Sequence, residues 1–303
     1  MNEVDQIVLN FDPSSLLGLN IILAIIMFGV SLDLKIDDFK RVFRQPKGPL
    51  IGLMAQFILL PAFTYLLTLI INPAPSIALG MIMVSSCPGG NMSNFFTHFA
   101  KGNTALSVSM TSISTVMAII MTPLNISIWG NINPHTRSLL HQINLNPMDM
   151  LFTIFLILGI PLVLGMWLST KKPDLAEKLK KPFKFASLLF FFSFIIIAFS
   201  ANIDNFIKYI KYVMYIVVIH NLTALALGYF SAKAGKLPER DQRAITFEVG
   251  IQNSGLALIL IFDFFNGLGG MALIAAWWGI WHIIAGLILG TFWSGKNIKE
   301  IES

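Results

Sequence analysis

Residues 76–99 read SIALGMIMVSSCPGGNMSNFFTHF, and this stretch decides how the whole chain is interpreted. It has the length of a membrane-spanning helix, which takes about 20 mostly apolar residues. Its centre, however, is Pro88-Gly89-Gly90. Proline removes a backbone donor and glycine has poor helix propensity, so the helix should break or kink there. A break would free carbonyl groups before it and N–H groups after it, at mid-membrane depth.

Polar side chains follow this interruption at once, namely Asn91, Ser93 and Asn94. Pro88 alone would favour the ordinary interpretation, a proline kink of the kind that many membrane helices contain. Pro-Gly-Gly together with three amide or hydroxyl side chains instead favours a broken helix that lines a binding site.

Residues 244–262 read AITFEVGIQNSGLALILIF and have the same character without proline. Gly250 and Gly255 bracket Gln252, Asn253 and Ser254. The first interruption falls in the third of four predicted spans and the second in the fourth of five. Paired interrupted segments in two halves of a membrane protein indicate an inverted repeat and the binding site of a secondary transporter.

The composition supports a membrane protein. Of 303 residues, 55% are hydrophobic and 12% are charged, whereas soluble domains have about 25% charged residues. The net charge of +5 comes from loops, so we expect no nucleic-acid partner, and no obligate protein partner is evident. The one cysteine, Cys87, excludes an internal disulfide. The first 15 residues contain no Lys or Arg, which argues against a cleavable signal peptide.

The pattern of apolar runs predicts an all-α polytopic membrane protein with nine transmembrane helices in one domain covering residues 1–303. The first repeat covers about 15–125 and the second about 149–293. The predicted spans are Ser15–Ser31, Pro49–Ile71, Ser76–Phe99, Ala105–Asn125, Asp149–Ser169, Phe185–Ala201, Phe206–Phe230, Ala244–Phe262 and Leu268–Trp293.

The distribution of basic residues tests this span count, because cytoplasmic loops carry an excess of Lys and Arg. With the N-terminus outside, only Arg137, Lys208 and Lys211 of the 21 basic residues fall on the outer side. We therefore predict a multi-pass protein of the cell membrane, of the bacterial inner-membrane type, with an outer N-terminus and a cytoplasmic C-terminus.

Glu248 lies well inside an apolar stretch. A carboxylate at that depth costs about 2.5–3.5 kcal/mol on insertion scales, so it usually faces an interior cavity and has a partner. One interpretation is an ion pair with Arg243, about 7.5 Å away along the helix. The other is a cation site, because Gln252 and Asn253 surround the acid with further oxygen atoms.

Neutral oxygen atoms recur elsewhere in the apolar spans. Ser107, Thr111 and Ser114 share one face of the fourth span, and Gln56 interrupts the second. Several neutral oxygens near a single carboxylate suit a hard monovalent cation, so sodium coupling is favoured over proton coupling. Freed N–H groups at half-helix N-termini favour an anionic substrate.

At these residues the chain resembles the bile acid:sodium symporter family, and bacterial members of it in particular. The matching segments are LGLNIILAIIMFGVSL, AQFILLPA, CPGGNMSNFFTHFAKGNTALSVSMTSISTV, the His220-Asn221 pair and ITFEVGIQNSGLA. The resemblance implies a core domain with two crossing discontinuous helices, about 76–125 and parts of 206–293, beside a panel domain formed by the remaining helices.

The resemblance also implies two sodium sites and a site for an organic anion between core and panel. The residues it implies for the first sodium site are Ser93, Asn94, Ser107, Thr111 and Glu248. Those for the second are Gln56, Glu248 and Gln252 with the backbone carbonyls of Val249 and Ile251. The implied substrate contacts are Asn91, Asn253 and His282.

The chain departs from the family pattern in three ways. It has nine predicted spans where relatives typically have ten, Asn91 stands where threonine is common, and Ile283 stands where asparagine is common. The expected function is sodium-coupled symport of a bile-acid-like anion or a small carboxylate such as pantoate, by alternating access.

Other function classes remain open from the sequence. A cation/proton antiporter of related fold would usually need more acidic core residues than Glu248, and arsenite export would favour more thiols than Cys87. An intramembrane hydrolase could take His98, His220 or His282 as a base, but no nucleophile or zinc motif accompanies them. We therefore expect no enzyme activity. A simple channel would not need two interrupted helices.

Overall fold

The structure is a computed structural model that describes Asp5 and residues 14–143, 145–200 and 203–296. Within these ranges the chain forms helices joined by short connections. The α-helices are α1 Ser14–Ser31, α2 Ile36–Arg44, α3 Lys47–Met54, α4 Leu60–Ile71, α5 Pro75–Ser86, α6 Met92–Phe99, α7 Thr104–Ile132, α8 Arg137–Ile143, α9 Pro147–Ile154, α10 Ile160–Lys171, α11 Pro173–Ser200, α12 Ile203–Ala234, α13 Glu239–Gly250, α14 Ser254–Phe265 and α15 Gly269–Ser294.

In the part of the chain that the structure describes, five helical segments are long and apolar enough to cross a bilayer. They are Lys47–Ile71, Thr104–Ile132, Pro147–Lys171, Lys208–Ala234 and Gly269–Ser294. Three shorter apolar helices accompany them, at Asn20–Ser31, Pro75–Ser86 and Ser254–Phe265. Many of their large apolar side chains face outward, as lipid-facing helices require. These features are those of a multi-pass membrane protein.

Both predicted interruptions are present. α5 ends at Ser86 and α6 begins at Met92, with Pro88, Gly89 and Gly90 between them. In the second segment α13 ends at Gly250 and α14 begins at Ser254. The helix α13 ends without a proline, because the backbone of Ile251 leaves the helical conformation and is extended, with φ −109° and ψ 98°.

The two interruptions lie against each other and pair through their backbones. The Gly90 N–H donates to the Ile251 carbonyl at 2.6 Å, and the Asn253 N–H donates to the Pro88 carbonyl at 2.9 Å. This short antiparallel bridge uses backbone groups that the broken helices can no longer pair internally. Such pairing is what permits non-helical backbone at membrane depth.

Two π-helical turns widen long helices just before a proline. One covers Ala55–Leu59 between α3 and α4, and the other covers Phe155–Gly159 between α9 and α10. Pro61 cannot donate to the carbonyl four residues earlier, which is that of Phe57. The side-chain amide of Asn125 donates to this carbonyl at 3.0 Å instead. The first π turn therefore joins α7 to the segment that contains Gln56.

Glycine allows the closest helix contacts. A Cβ added to Gly80 on α5 would lie 2.7 Å from the Met271 Cα on α15, and one on Gly228 of α12 would lie 2.8 Å from the Thr246 Cα on α13. Small residues that let two backbones approach closely are typical of packed membrane helices. These two glycines let α5 pack closely against α15 and α13 pack closely against α12. α5 and α13 are the helices that end at the two interruptions.

The count of nine spans stays a prediction, and the differences that the described residues show lie at helix boundaries. α11 begins at Pro173 rather than near Phe185, α13 begins at Glu239 rather than Ala244, and the connections contain two short helices, α2 and α8. These helix ends are polar or charged, so hydropathy alone did not include them. Some parts of the chain lie outside the described residues. They include the end of the sixth predicted span at Ala201, the N-terminal residues 1–4 and 6–13, residue 144 and residues 297–303.

We predict that Gly80→Ala destabilises the protein by about 1–3 kcal/mol, because the added methyl group would lie 2.7 Å from the Met271 Cα and 3.2 Å from the Ile274 Cβ, and neither atom is the end of a flexible side chain. The thermal unfolding midpoint in detergent should fall accordingly. Gly295→Ala is the matched control, since its nearest atom would lie at an ordinary 3.9 Å. Equal midpoints for the two variants would contradict the close packing of α5 on α15.

Candidate functional site

The Glu248 carboxylate is fully buried beside the two interruptions and accepts hydrogen bonds from three hydroxyl groups. Ser93 donates to its Oε2 at 2.6 Å, Ser107 donates to the same oxygen at 3.3 Å, and Thr111 donates to Oε1 at 2.8 Å. These donors compensate the charge where water is excluded. Their oxygens can instead turn lone pairs toward a cation, because a hydroxyl group both donates and accepts.

The elements around Glu248 explain why these hydroxyl groups converge. Ser93 lies in the first turn of α6, just after the first interruption, and Glu248 lies in the last turn of α13, just before the second. Ser107 and Thr111 are four residues apart on α7, so they share one face. Thr111 also contacts the Asn94 side-chain oxygen at 3.3 Å. The five residues expected for a first sodium site are therefore together in space.

Gln56 and Gln252 form a second polar cluster, in which each amide donates to the other. The Gln56 amide donates to the Gln252 oxygen at 2.8 Å, and the reverse bond measures 3.1 Å. Gln56 also donates to the Cys87 carbonyl at 2.8 Å, and Gln252 donates to the Val249 carbonyl at 2.6 Å. The Ile251 carbonyl takes part in the backbone bridge. The additional residues expected at the second sodium site thus lie around the same two interruptions.

Gly89 fixes how closely the carboxylate approaches the first interruption. A Cβ at this position would fall within 2.3 Å of the Glu248 Oε1. Gly90 has a similar constraint, since its Cβ would lie 3.0 Å from the Gln252 carbonyl oxygen. The glycines are therefore required for contact between the two interruptions as well as for ending the helix.

Arg243 and Glu248, which the sequence suggested as an ion pair, do not pair with each other in the structure. The Arg243 guanidinium pairs with Glu239 and donates to the backbone carbonyls of Ala100 and Trp293, at 2.6 and 3.0 Å. It ties together one end of α6, α13 and α15. Glu248 is left with neutral oxygen partners among the described residues.

The three residues expected to contact the substrate do not form one cluster in the way that the expected sodium ligands do. Asn91 is exposed at the start of α6, and Asn253 caps α14 by accepting from the Leu256 N–H at 3.0 Å. Both belong to the joined interruptions. His282 is buried on α15, and its Nδ1 has no hydrogen-bond partner among the described residues. No hydrogen bond joins His282 to either asparagine among the described residues.

The hydrolase interpretation gains nothing from the histidines. His220 Nε2 lies 2.7 Å from the Thr64 hydroxyl, and its ring packs edge-on against Trp278. Its other ring nitrogen has no hydrogen-bond partner among the described residues, so nothing orients it as a general base. His98 lies in the last turn of α6 and is exposed.

Three side chains that hold the helix ends were missed or undervalued in the sequence. Thr122 donates to the Ser86 carbonyl at 2.7 Å, at the end of α5, and Asn221 donates to the Gly250 carbonyl at 2.7 Å, at the end of α13. Asn125 holds the π turn beside Gln56. The signal available in the sequence was an amide or hydroxyl side chain within an apolar span, and this signal does not reveal the hydrogen-bond partner.

The profile of the Sodium Bile acid symporter family matches residues 20–209, which is more than half of the chain. The chain belongs to this family. It is 33% identical over 282 residues to a Bacillus subtilis (strain 168) protein described as an uncharacterized sodium-dependent transporter, YocS. That match covers 93% of this chain and 84% of YocS.

Two eukaryotic relatives extend the comparison. The human ileal sodium/bile acid cotransporter is 28% identical over 245 residues, which cover 80% of this chain and 68% of that protein. An Arabidopsis thaliana protein named "Probable sodium/metabolite cotransporter BASS1, chloroplastic" is 28% identical over 285 residues, covering 92% of this chain and 67% of its own length. The family consists of sodium-dependent transporters, so sodium is its co-transported ion.

We predict that Asn221→Ala loosens the end of α13, because it leaves the buried Gly250 carbonyl unpaired at a cost of about 1–3 kcal/mol. Hydrogen exchange of residues 247–253 should accelerate. Asn131→Ala is the control, since Asn131 makes a bond of the same length, 2.7 Å, to the Ser127 carbonyl within α7. If both variants leave exchange at 247–253 unchanged, Asn221 does not hold this helix end.

Proposed function

We propose that this protein is a sodium-coupled symporter of an organic anion that works by alternating access. The observation that carries the proposal is the buried Glu248 carboxylate, which three hydroxyl groups contact at the junction of two broken helices. A single carboxylate among neutral oxygens matches a monovalent cation in charge. The sodium dependence of the family gives this cation its identity.

Two sodium ions are proposed, one at each polar cluster. The first would take oxygens from Ser93, Asn94, Ser107, Thr111 and Glu248. The second would take oxygens from Gln56, Gln252 and Glu248 with the Val249 and Ile251 carbonyls. The side-chain oxygens of Gln56 and Gln252 each accept from the other amide, so an ion would replace these two amide–amide bonds by amide–ion contacts. Glu248 would be the one carboxylate shared by the two ions, so the second ion would depend on neutral amide and carbonyl oxygens.

The substrate is proposed to be a bile-acid-like anion or a small carboxylate such as pantoate. Asn91 and Asn253, at the starts of α6 and α14, would meet its carboxylate together with the positive ends of these helices. His282 is the third proposed contact. The human relative is named for bile acid and the Arabidopsis relative for an unspecified metabolite, which supports an organic substrate without choosing one.

The proposed mechanism follows from how the ion ligands are distributed. They come from α6, α7 and α13, from the interruption between α13 and α14, and from the π turn between α3 and α4, so ion binding would draw these elements together. We propose that they form a core, which then includes the span of α3 and α4 that the resemblance left to the panel. This core would move against a panel containing α1 and α9–α11, within nine spans arranged as an inverted repeat. The N-terminus is proposed to lie outside and the C-terminus in the cytoplasm of a bacterial cell.

The first test replaces sodium. Sodium should raise the thermal unfolding midpoint of the wild type and support uptake of the organic anion, whereas potassium or choline should do neither, because they do not fit the oxygen site. Glu248→Gln keeps the side-chain shape and should abolish the sodium effect. Its matched control is Glu239→Gln, which lies on the same helix and pairs with Arg243. Equal responses to all three cations would refute sodium coupling.

A second test separates an ion ligand from a buried neighbour. Thr111→Val should raise the sodium concentration for half-maximal stabilisation by about tenfold, because one ligand and one partner of Glu248 are lost. Thr115→Val is the matched control, since Thr115 is buried one turn later on α7 and bonds to the Thr111 carbonyl. Similar sodium affinities for the two variants would exclude Thr111 as a ligand.

A further inference from the structure

A second acidic side chain lies within an apolar helix, away from the helix interruptions. Asp263 belongs to the last turn of α14, ten residues after Asn253, and is partly buried. Its Oδ1 accepts a hydrogen bond of 3.2 Å from the side-chain amide of Asn20 on α1. This bond joins two helices that are 243 positions apart in the sequence.

The pair leaves two buried oxygen atoms without a hydrogen bond. Among the described residues, neither the Asn20 Oδ1 nor the Asp263 Oδ2 has a hydrogen-bond partner, although both are shielded from solvent. Both atoms are acceptors when Asp263 is ionised, so the pair contains one donor group and two unsatisfied acceptors. Unpaired buried acceptors are costly, and two on adjoining side chains also repel each other.

One proton satisfies both atoms. A protonated Asp263 becomes a donor through Oδ2 and can bond to the Asn20 Oδ1, while the Asn20 amide keeps its bond to the Asp263 Oδ1. The result is a closed acid–amide pair with two parallel hydrogen bonds and no charge. A sodium ion fits less well, because it prefers more oxygen ligands than this pair supplies.

The surroundings also favour the neutral acid. The helices packed most extensively against α14 are α15, α1 and α5. In their described residues they contain no Lys or Arg, and the only titratable side chain on them is His282 of α15. The carboxylate of Asp5, from the N-terminal segment, accepts from the Ser76 N–H at the start of α5. In the described residues, these three helices therefore offer no Lys or Arg to balance an ionised Asp263.

Protons from solution can reach this position. Ten residues of helix cover about 15 Å, which is half the thickness of the hydrocarbon core. If the joined interruptions lie near the midplane, Asp263 lies close to the membrane surface. We propose that Asp263 and Asn20 form a proton-binding site whose occupancy fastens α1 to α14. This site is separate from both proposed sodium sites.

Hydrogen exchange of the full chain, measured in sodium-free choline buffer, tests the site without relying on sodium coupling. After correction for the intrinsic rate, residues 20–31 and 254–266 should exchange about tenfold faster at about pH 8 than at about pH 5.5, because one of the two bonds is lost. Asp263→Asn can form the same two bonds at every pH, so both segments should stay protected at the higher pH.

The control is Asp241→Asn, which makes the same change in another Asp–Asn pair, with Asn103. It should leave the pH response of α1 and α14 intact. A wild type with equal protection at both pH values would overturn the proposal, as would Asp263→Asn with a wild-type pH response. Protection restored at about pH 8 by sodium but not potassium would overturn it in favour of a metal ion.

Discussion

The structure depends on two backbone hydrogen bonds that join one broken helix to the other, from Gly90 to Ile251 and from Asn253 to Pro88. Each interruption alone would leave unpaired backbone groups inside an apolar environment, which is costly. Together they satisfy part of this requirement and bring Ser93 to Glu248. The polar site and the tolerance of the membrane for irregular backbone therefore have the same origin.

A second set of contacts prevents the half-helices from separating. Thr122 and Asn221 bind the final carbonyls of α5 and α13, and Arg243 ties the far end of α13 to α6 and α15. These donors come from continuous helices or from buried side chains with little freedom. The hydroxyl groups around Glu248 thus depend on a rigid frame, which is what a site with small ligands needs.

Much of this could be predicted from the sequence. Pro88-Gly89-Gly90 and the Gly250–Gly255 segment indicated the helix breaks, and the depth of Glu248 indicated the polar cluster, because each feature is local and unfavourable in a plain membrane helix. The partners could not be predicted from local pattern. Arg243 was the basic residue nearest to Glu248 along the chain, yet it pairs with Glu239, one turn earlier on the same helix, and with carbonyls of other helices. The Gln56–Gln252 pair likewise depends on tertiary packing over 196 positions.

The contact between Gly89 and Glu248 has an evolutionary consequence. The space between Gly89 and the Glu248 carboxylate has no room for a methyl group. A side chain at position 89 therefore requires a shorter acidic residue, or another kind of residue, at position 248. A shorter acid, in turn, would withdraw from Ser93 and Thr111 unless the backbone moved closer. Positions 89 and 248 are 159 residues apart in the sequence but in direct steric contact, so homologues that change one of them should also change the other.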